Sequence, residues 1–171
     1  GNVLAATGVE ARDVKGIFIA TVTPDHNQTP PMAAIVSAKL GINGKGKRYL
    51  TDMPFIDGTA ACSSFGVVLR AACAIAQNEG GLHLVIGADV MSRTVNPFSR
   101  NILPILGDGA GAILLEAYET NGEHESEKNF RPECFFSYLD GSKAHLIVTP
   151  AGGSKLPVTA QMVAKPFDQP H

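Results

Sequence analysis

Cys62 stands in the run Asp57-Gly58-Thr59-Ala60-Ala61-Cys62-Ser63-Ser64-Phe65-Gly66, between small residues and a stretch, Val67 to Gln77, that reads as helix. A thiol at a helix N-terminus faces unpaired backbone N–H groups and the positive end of the macrodipole, and both favour the nucleophilic thiolate. Small residues at 58–61 let the backbone turn sharply and leave room for a substrate beside the sulfur. This is the way a chain presents a covalent catalyst. The competing reading is a buried cysteine acting as a small hydrophobe.

Other residues invite weaker chemical readings. Gly107-Asp-Gly-Ala-Gly-Ala112 suggests a phosphate loop, but it lacks the Gly-Lys-[Ser/Thr] ending and leads into a strand-like run. Tight turning and close packing of backbone explain it better, with Asp108 as a buried hydrogen-bonding anchor. Arg93 and Arg100 flank a loop and are each suited to an anionic group or a salt bridge. Histidines at 26, 83, 124, 145 and 171 show no metal-ligand spacing. His83 lies inside an apolar run and reads as a satisfied core or edge residue, and His124 as part of a solvated acidic loop. Cys73 reads as packing. The three cysteines, at 62, 73 and 134, form neither a metal pattern nor a disulfide framework.

Positioning Cys62 requires a layered scaffold. Residues 3–10 read as the end of a helix capped by Gly8, Ile17 to Thr23 as a buried strand, and Met32 to Leu40 as a helix stopped by Gly41. A brief strand at 55–57 leads to the cysteine turn and a helix over 63–78, apolar almost all round and therefore expected to be deeply buried. Leu82 to Val90 and Gly109 to Tyr118 read as further strands, and Phe135 to Leu139 and Leu146 to Thr149 as additional ones. Residues 119–133 read as a mobile surface-loop insertion. Strands alternating with helices predict an α/β fold, one layered domain over 1–171, its mixed sheet covered on both faces and Cys62 at the C-terminal end of a strand.

Composition bounds the partners. The 171 residues carry a net charge of −2, with 44% hydrophobic and 18% charged residues, ordinary values for a soluble globular protein. No basic field favours nucleic acid, and the single basic run, Lys45 to Arg48, reads as a solvated loop. No apolar run approaches ~18 residues, so no membrane span is expected, and the odd cysteine count suits a reducing, cytoplasmic setting.

Several blocks together resemble a known family. They are VKGIFIATVTPD, PPMAAIVSAKLGI, IDGTAACSSFG, LVIGADVMSR, Arg100 followed by LGDGAGAILLEA, and SYLDGSKAHLIVTPAGGS. Their order and spacing resemble β-ketoacyl-acyl-carrier-protein synthase III of the thiolase superfamily, best over residues 8 to 118. The resemblance implies a thiolase-like α/β/α fold with a buried central helix, of which this chain is about one half. It implies that Cys62 takes an acyl group from acyl-CoA and that malonyl-acyl-carrier protein then condenses with it. It further implies that Arg100 contacts coenzyme A, that no metal or redox cofactor is needed, and that the protein is a homodimer built through LVIGADV-like strands.

The departures matter too. The family's histidine, asparagine and oxyanion glycine lie in its second half, and none is matched here. The first strand, with an entrance tryptophan and arginine, is also unmatched. Gln28-Thr-Pro-Pro31 replaces a phenylalanine-bearing loop, and Cys62-Ser63-Ser64-Phe65 has serine where glycine or alanine is usual. The readings left open are the condensing enzyme, a secondary-metabolism O- or N-acyltransferase of the same superfamily, a non-catalytic structural or dimerisation half, and a cysteine hydrolase.

Overall fold

Strand β1, Val14–Ala20, is apolar at almost every position and sends successive side chains to opposite faces. Ile17 and Ile19 join Val14, Ala33, Ile42 and Leu84 in one cluster, while Phe18 and Ala20 join Val68, Ala72 and Val85 in a second. A strand buried on both faces needs a layer on each side. The computed structural model supplies them; it describes residues 3–27, 29–42, 53–117, 130 and 132–163.

The first face is covered by α1, Val3–Thr7, and α2, Met32–Leu40. The other is covered by α3, Ser64–Glu79. Between them β1 is flanked by β2, Phe55–Gly58, and β3, Gly81–Val90, with β4, Asp108–Ala117, at the far side, in the order β2-β1-β3-β4. β1 pairs parallel to β2 and β3, and β3 pairs antiparallel to β4. The expected mixed α/β/α layering is therefore present.

Helix ends follow local chemistry. Pro31 opens α2 and gives it no side-chain cap. The carboxylate of Asp57, at the end of β2, accepts instead from the amides of Met32 and Ala33. Gly41 closes α2 at φ +71°, with the Ile42 amide on the Ser37 carbonyl at 3.0 Å. Gly80 and Gly81, at φ +64° and +83°, turn the chain from α3 directly into β3.

Three expectations are corrected. β1 ends at Ala20 rather than Thr23 because the Thr21 hydroxyl, Val22 amide and Thr23 hydroxyl all donate to Asp89 Oδ1, which pulls the chain off the ladder. α3 is not buried all round: Ser64, Val68, Ala72 and Ala76 form one buried stripe at four-residue spacing, while Phe65 and Val67 stay exposed. No element among the described residues lies over that outer side. Residues 135–139 and 146–149 form no strand; Tyr138 and Leu139 are each 98% exposed. Their strand-like composition expresses a fit to a half-buried pleated surface, and no such surface meets them. This stretch instead holds a short turn at Gly141–Lys143, where Asp140 accepts from the amide and hydroxyl of Ser142, and a one-turn helix α4, Ala160–Val163. The basic run 45–48, Gln28, His124, His171 and most of the 119–133 insertion lie outside the described residues.

Candidate active site

Cys62 is exposed on the turn between β2 and α3. Gly58 ends β2 against α3: a Cβ there would lie 2.5 Å from Val68 Cγ2. The small residue is therefore required for strand and helix to approach. Ala61, immediately before the cysteine, has φ +49°, a conformation rare for residues with a Cβ. The turn is held by four bonds. Ser63 donates its amide to the Ala60 carbonyl at 3.1 Å, and Ser64 its amide to the Ala61 carbonyl at 3.1 Å. Ser64 Oγ accepts from the Ala60 amide at 2.8 Å and donates to the Ala61 carbonyl at 2.6 Å.

Cys62 precedes a helix of 16 residues whose first turn holds no acidic side chain and whose N-cap, Ser63, makes no side-chain bond. The positive end of the dipole is thus neither neutralised nor occupied by a cap beside the sulfur. Cys73 lies within α3, half-buried, and burial pushes its thiol up. Cys134 is exposed.

The C-terminal ends of β1 and β3 are tied by Asp89. Besides the three donors above, the Thr23 hydroxyl accepts from the Val90 amide at 2.8 Å. A hollow of about 230 Å³ lies over these ends, lined by Thr21, Thr23, Asp25, Met32, Asp89 and Asp108 among others; Cys62 is not part of its lining. Asp108 anchors the short turn Met91–Arg93, its carboxylate accepting the Ser92 amide at 2.8 Å and the Ser92 hydroxyl at 2.7 Å. Those two bonds, with a smaller contribution from Arg93, hold its carboxyl below the usual range. The anchor role stands, but Asp108 is exposed rather than buried.

Gly109 and Gly111 lie in the β3–β4 ladder, opposite Asp89 and Gly87, so no phosphate loop is formed. A Cβ at either meets nothing within 4 Å, which removes close packing as the reason for these glycines among the described residues. The tight position is Gly87, where a Cβ would meet Phe65 Cδ2 at 3.0 Å. Arg100 is exposed in the β3–β4 connection, and among the described residues no hydrogen bond or ion pair ties it to the Cys62 turn. His83 is a core residue, 0% exposed, but only half satisfied: Nε2 lies 2.9 Å from the Gly80 carbonyl, and Nδ1 has no partner among the described residues. Among the described residues no group of three or more His, Cys, Asp or Glu is placed to hold a metal, and no helix is long and apolar enough to cross a membrane.

Sequence reading named the cysteine but passed over its supports. Ser64 was visible as a serine beside the nucleophile, and Asp57 as a carboxylate ahead of the turn. Asp89 and its threonines gave no short-range signal, since their partners lie more than 60 residues apart in the chain.

Comparison with known proteins reaches the same region. Residues 56–130 match the family described as 3-Oxoacyl-[acyl-carrier-protein (ACP)] synthase III. A beta-ketoacyl-[acyl-carrier-protein] synthase III of Natranaerobius thermophilus is 37% identical over 162 residues, covering 94% of this chain and 45% of that protein. An acetoacetyl CoA synthase of a Streptomyces species is 36% identical over 155 residues, covering 91% of this chain and 43% of that protein. The crystal structure of 3-oxoacyl-[acyl-carrier-protein] synthase III from Aquifex aeolicus superposes with a TM-score of 0.59 at 30% identity, over 68% of this chain and 35% of that one. The chain spans about half the length of the curated relatives it matches.

Proposed function

We propose, from the chain's place in the 3-oxoacyl-[acyl-carrier-protein] synthase III family, that it carries the acyl-accepting cysteine of a decarboxylative condensing enzyme that initiates fatty acid or polyketide synthesis. The Cys62 thiolate attacks the carbonyl of an acyl-CoA, the C–S bond to coenzyme A breaks, and coenzyme A leaves as its thiolate, which takes a proton from water. Malonyl-acyl-carrier protein then loses CO₂, and the electron pair left on its α-carbon attacks the acyl-Cys62 carbonyl. Cys62 is expelled, and a 3-oxoacyl-acyl-carrier protein remains. Dividing the transfer through a thioester replaces one difficult step by two easier ones.

The observation that carries this reading is the presentation of Cys62: exposed, behind a left-handed Ala61, at the uncapped start of α3. Arg100, exposed in the β3–β4 connection, is proposed to contact the anionic part of coenzyme A. A homodimer working in the cytoplasm on thioesters alone, without metal or redox cofactor, completes the proposal. Complete turnover belongs to the whole protein, since half of the relatives' length is not spanned here.

Incubation with acetyl-CoA or a longer acyl-CoA, followed by intact mass and peptide mapping, tests it. The acyl group is expected on Cys62 and absent from Cys62→Ser. Cys73, whose thiol is pushed up by burial, is expected to stay unlabelled. Equal labelling of Cys73 or Cys134, or none at Cys62, refutes the assignment. The likeness to an acetoacetyl CoA synthase favours a second reading, in which the condensing partner is malonyl-CoA rather than the carrier-protein thioester. Offering each to the acylated protein distinguishes them. Transfer to an alcohol or amine instead would identify an O- or N-acyltransferase.

A further inference from the structure

We propose that Ser64 is a positioning residue for Cys62, its hydroxyl bridging the Thr59–Ala60 and Ala61–Cys62 peptides so that the cysteine is held at its presented angle. The proposal rests on the reading of Cys62 as acyl acceptor.

Ser64 is 5% exposed, and its Oγ is used twice, as acceptor for the Ala60 amide and as donor to the Ala61 carbonyl. That carbonyl belongs to the peptide joining Ala61 to Cys62, so its direction fixes the backbone from which the sulfur projects. The hydroxyl is not spent on capping: Ser63 is the N-cap, and Ser64 already lies inside α3. The clamp closes around the one non-glycine residue with positive φ among the described residues, Ala61 at +49°. An alanine left to itself favours negative φ. Without the hydroxyl, the Ala60 amide loses its acceptor and the Ala61 carbonyl keeps only the Ser64 amide. Ala61 can then relax, and the sulfur swings away from its station at the helix start. A nucleophile misplaced by about an ångström reacts far more slowly even where the fold is intact.

The mechanism predicts a specific rescue. Glycine at 61 adopts φ +49° without a Cβ penalty, so Ala61→Gly should restore in Ser64→Ala what the hydroxyl supplied. The first-order rate of Cys62 acylation is measured against acetyl-CoA concentration by intact mass, with amide hydrogen exchange recorded at Ala60. Ser64→Ala is expected to load about tenfold more slowly at saturation with an unchanged half-saturating concentration, and its Ala60 amide to exchange about tenfold faster, consistent with loss of a buried hydrogen bond. Ser64→Gly, also lacking the hydroxyl, is expected to behave alike and serves if the alanine variant folds poorly. Ser64→Thr, retaining the hydroxyl, is expected to load within about threefold of the parent. Ser64→Ala/Ala61→Gly is expected to recover loading but not Ala60 protection. Parental loading in Ser64→Ala and Ser64→Gly, or failure of Ala61→Gly to rescue, overturns the positioning role while leaving the acyl-acceptor reading in place. No loading of the parent protein at Cys62 overturns that reading, and this proposal with it.

Discussion

Replacing Gly58 by alanine puts a single methyl group where β2 touches the helix that follows the nucleophile. The added Cβ would sit 2.5 Å from Val68 Cγ2, with Ile56 Cγ2 next at 3.6 Å. An ordinary carbon–carbon contact is about 3.7 Å, so helix and strand must part by roughly 1.2 Å. Val68 is 2% exposed and packed with Phe18, Ala20, Ala72 and Val85, so it retreats only by pressing on them. Overpacking of this kind costs about 1–3 kcal/mol. At a urea dependence near 2 kcal/mol per molar, the midpoint should fall by about 1 M. Because the displaced helix carries Cys62 at its start, acyl loading should also slow by about 10- to 100-fold. Urea denaturation followed by far-ultraviolet circular dichroism measures the first effect, and mass-resolved loading the second. The partner change Val68→Ala leaves a cavity and costs roughly 2 kcal/mol alone. Combined with Gly58→Ala, the added methyl group enters space left by Val68 Cγ2, so the double variant should cost at least ~1 kcal/mol less than the sum. An unchanged midpoint for Gly58→Ala, or strict additivity in the pair, would refute the contact as the reason for glycine.

Two further outcomes are expected. Gly16→Ala drives a Cβ into His83 Nδ1 and to 2.9 Å from Phe18 Cε2, displacing a ring pinned by the Gly80 carbonyl; thermal or urea unfolding should show a loss of about 2–4 kcal/mol, smaller when His83 is also shortened to alanine. Asp108, whose folded carboxyl is held below the ordinary range by Ser92, contributes stability that is fully present above the unfolded range near ~4 and is lost as pH falls through the folded value. Asp108→Asn should therefore flatten the acid limb of a midpoint-against-pH series below pH ~4 and leave its neutral portion sloped as before; an unchanged acid limb would show that the Ser92 bonds carry no stability.

Local signals were legible because local forces set them. Gly41 and the apolar spacing before it mark both ends of α2, and the run from Leu82 to Val90 marks β3 to within one residue. The cysteine turn was legible because small residues, a thiol and a helix follow one another in the chain. What failed had distant causes. The early end of β1 depends on Asp89, a partner 66 to 68 residues away. The exposure of Phe65 and Val67 depends on what lies over α3, and an all-apolar helix signals a cover without supplying it. The unpaired stretches at 135–139 and 146–149 have strand composition but no surface to use it. Asp108 is legible as an anchor, but its exposure is not, because burial is set by what packs around the end of β4 and not by its neighbours in the chain.

β4 forms the outer margin of the sheet, and among the described residues it is paired along one side alone for ten residues. Half of that length, Asp108 to Ala112, is small and exposed, with neither bulk nor positive charge to repel an approaching backbone. Proteins ordinarily blunt so long an unguarded border with lysine, proline or a bulge. Among the described residues this rim is open to another extended segment zipping onto it. The protein should self-associate through this rim as concentration rises, and a scattering or sedimentation series that stays monomeric throughout would show the rim to be inert.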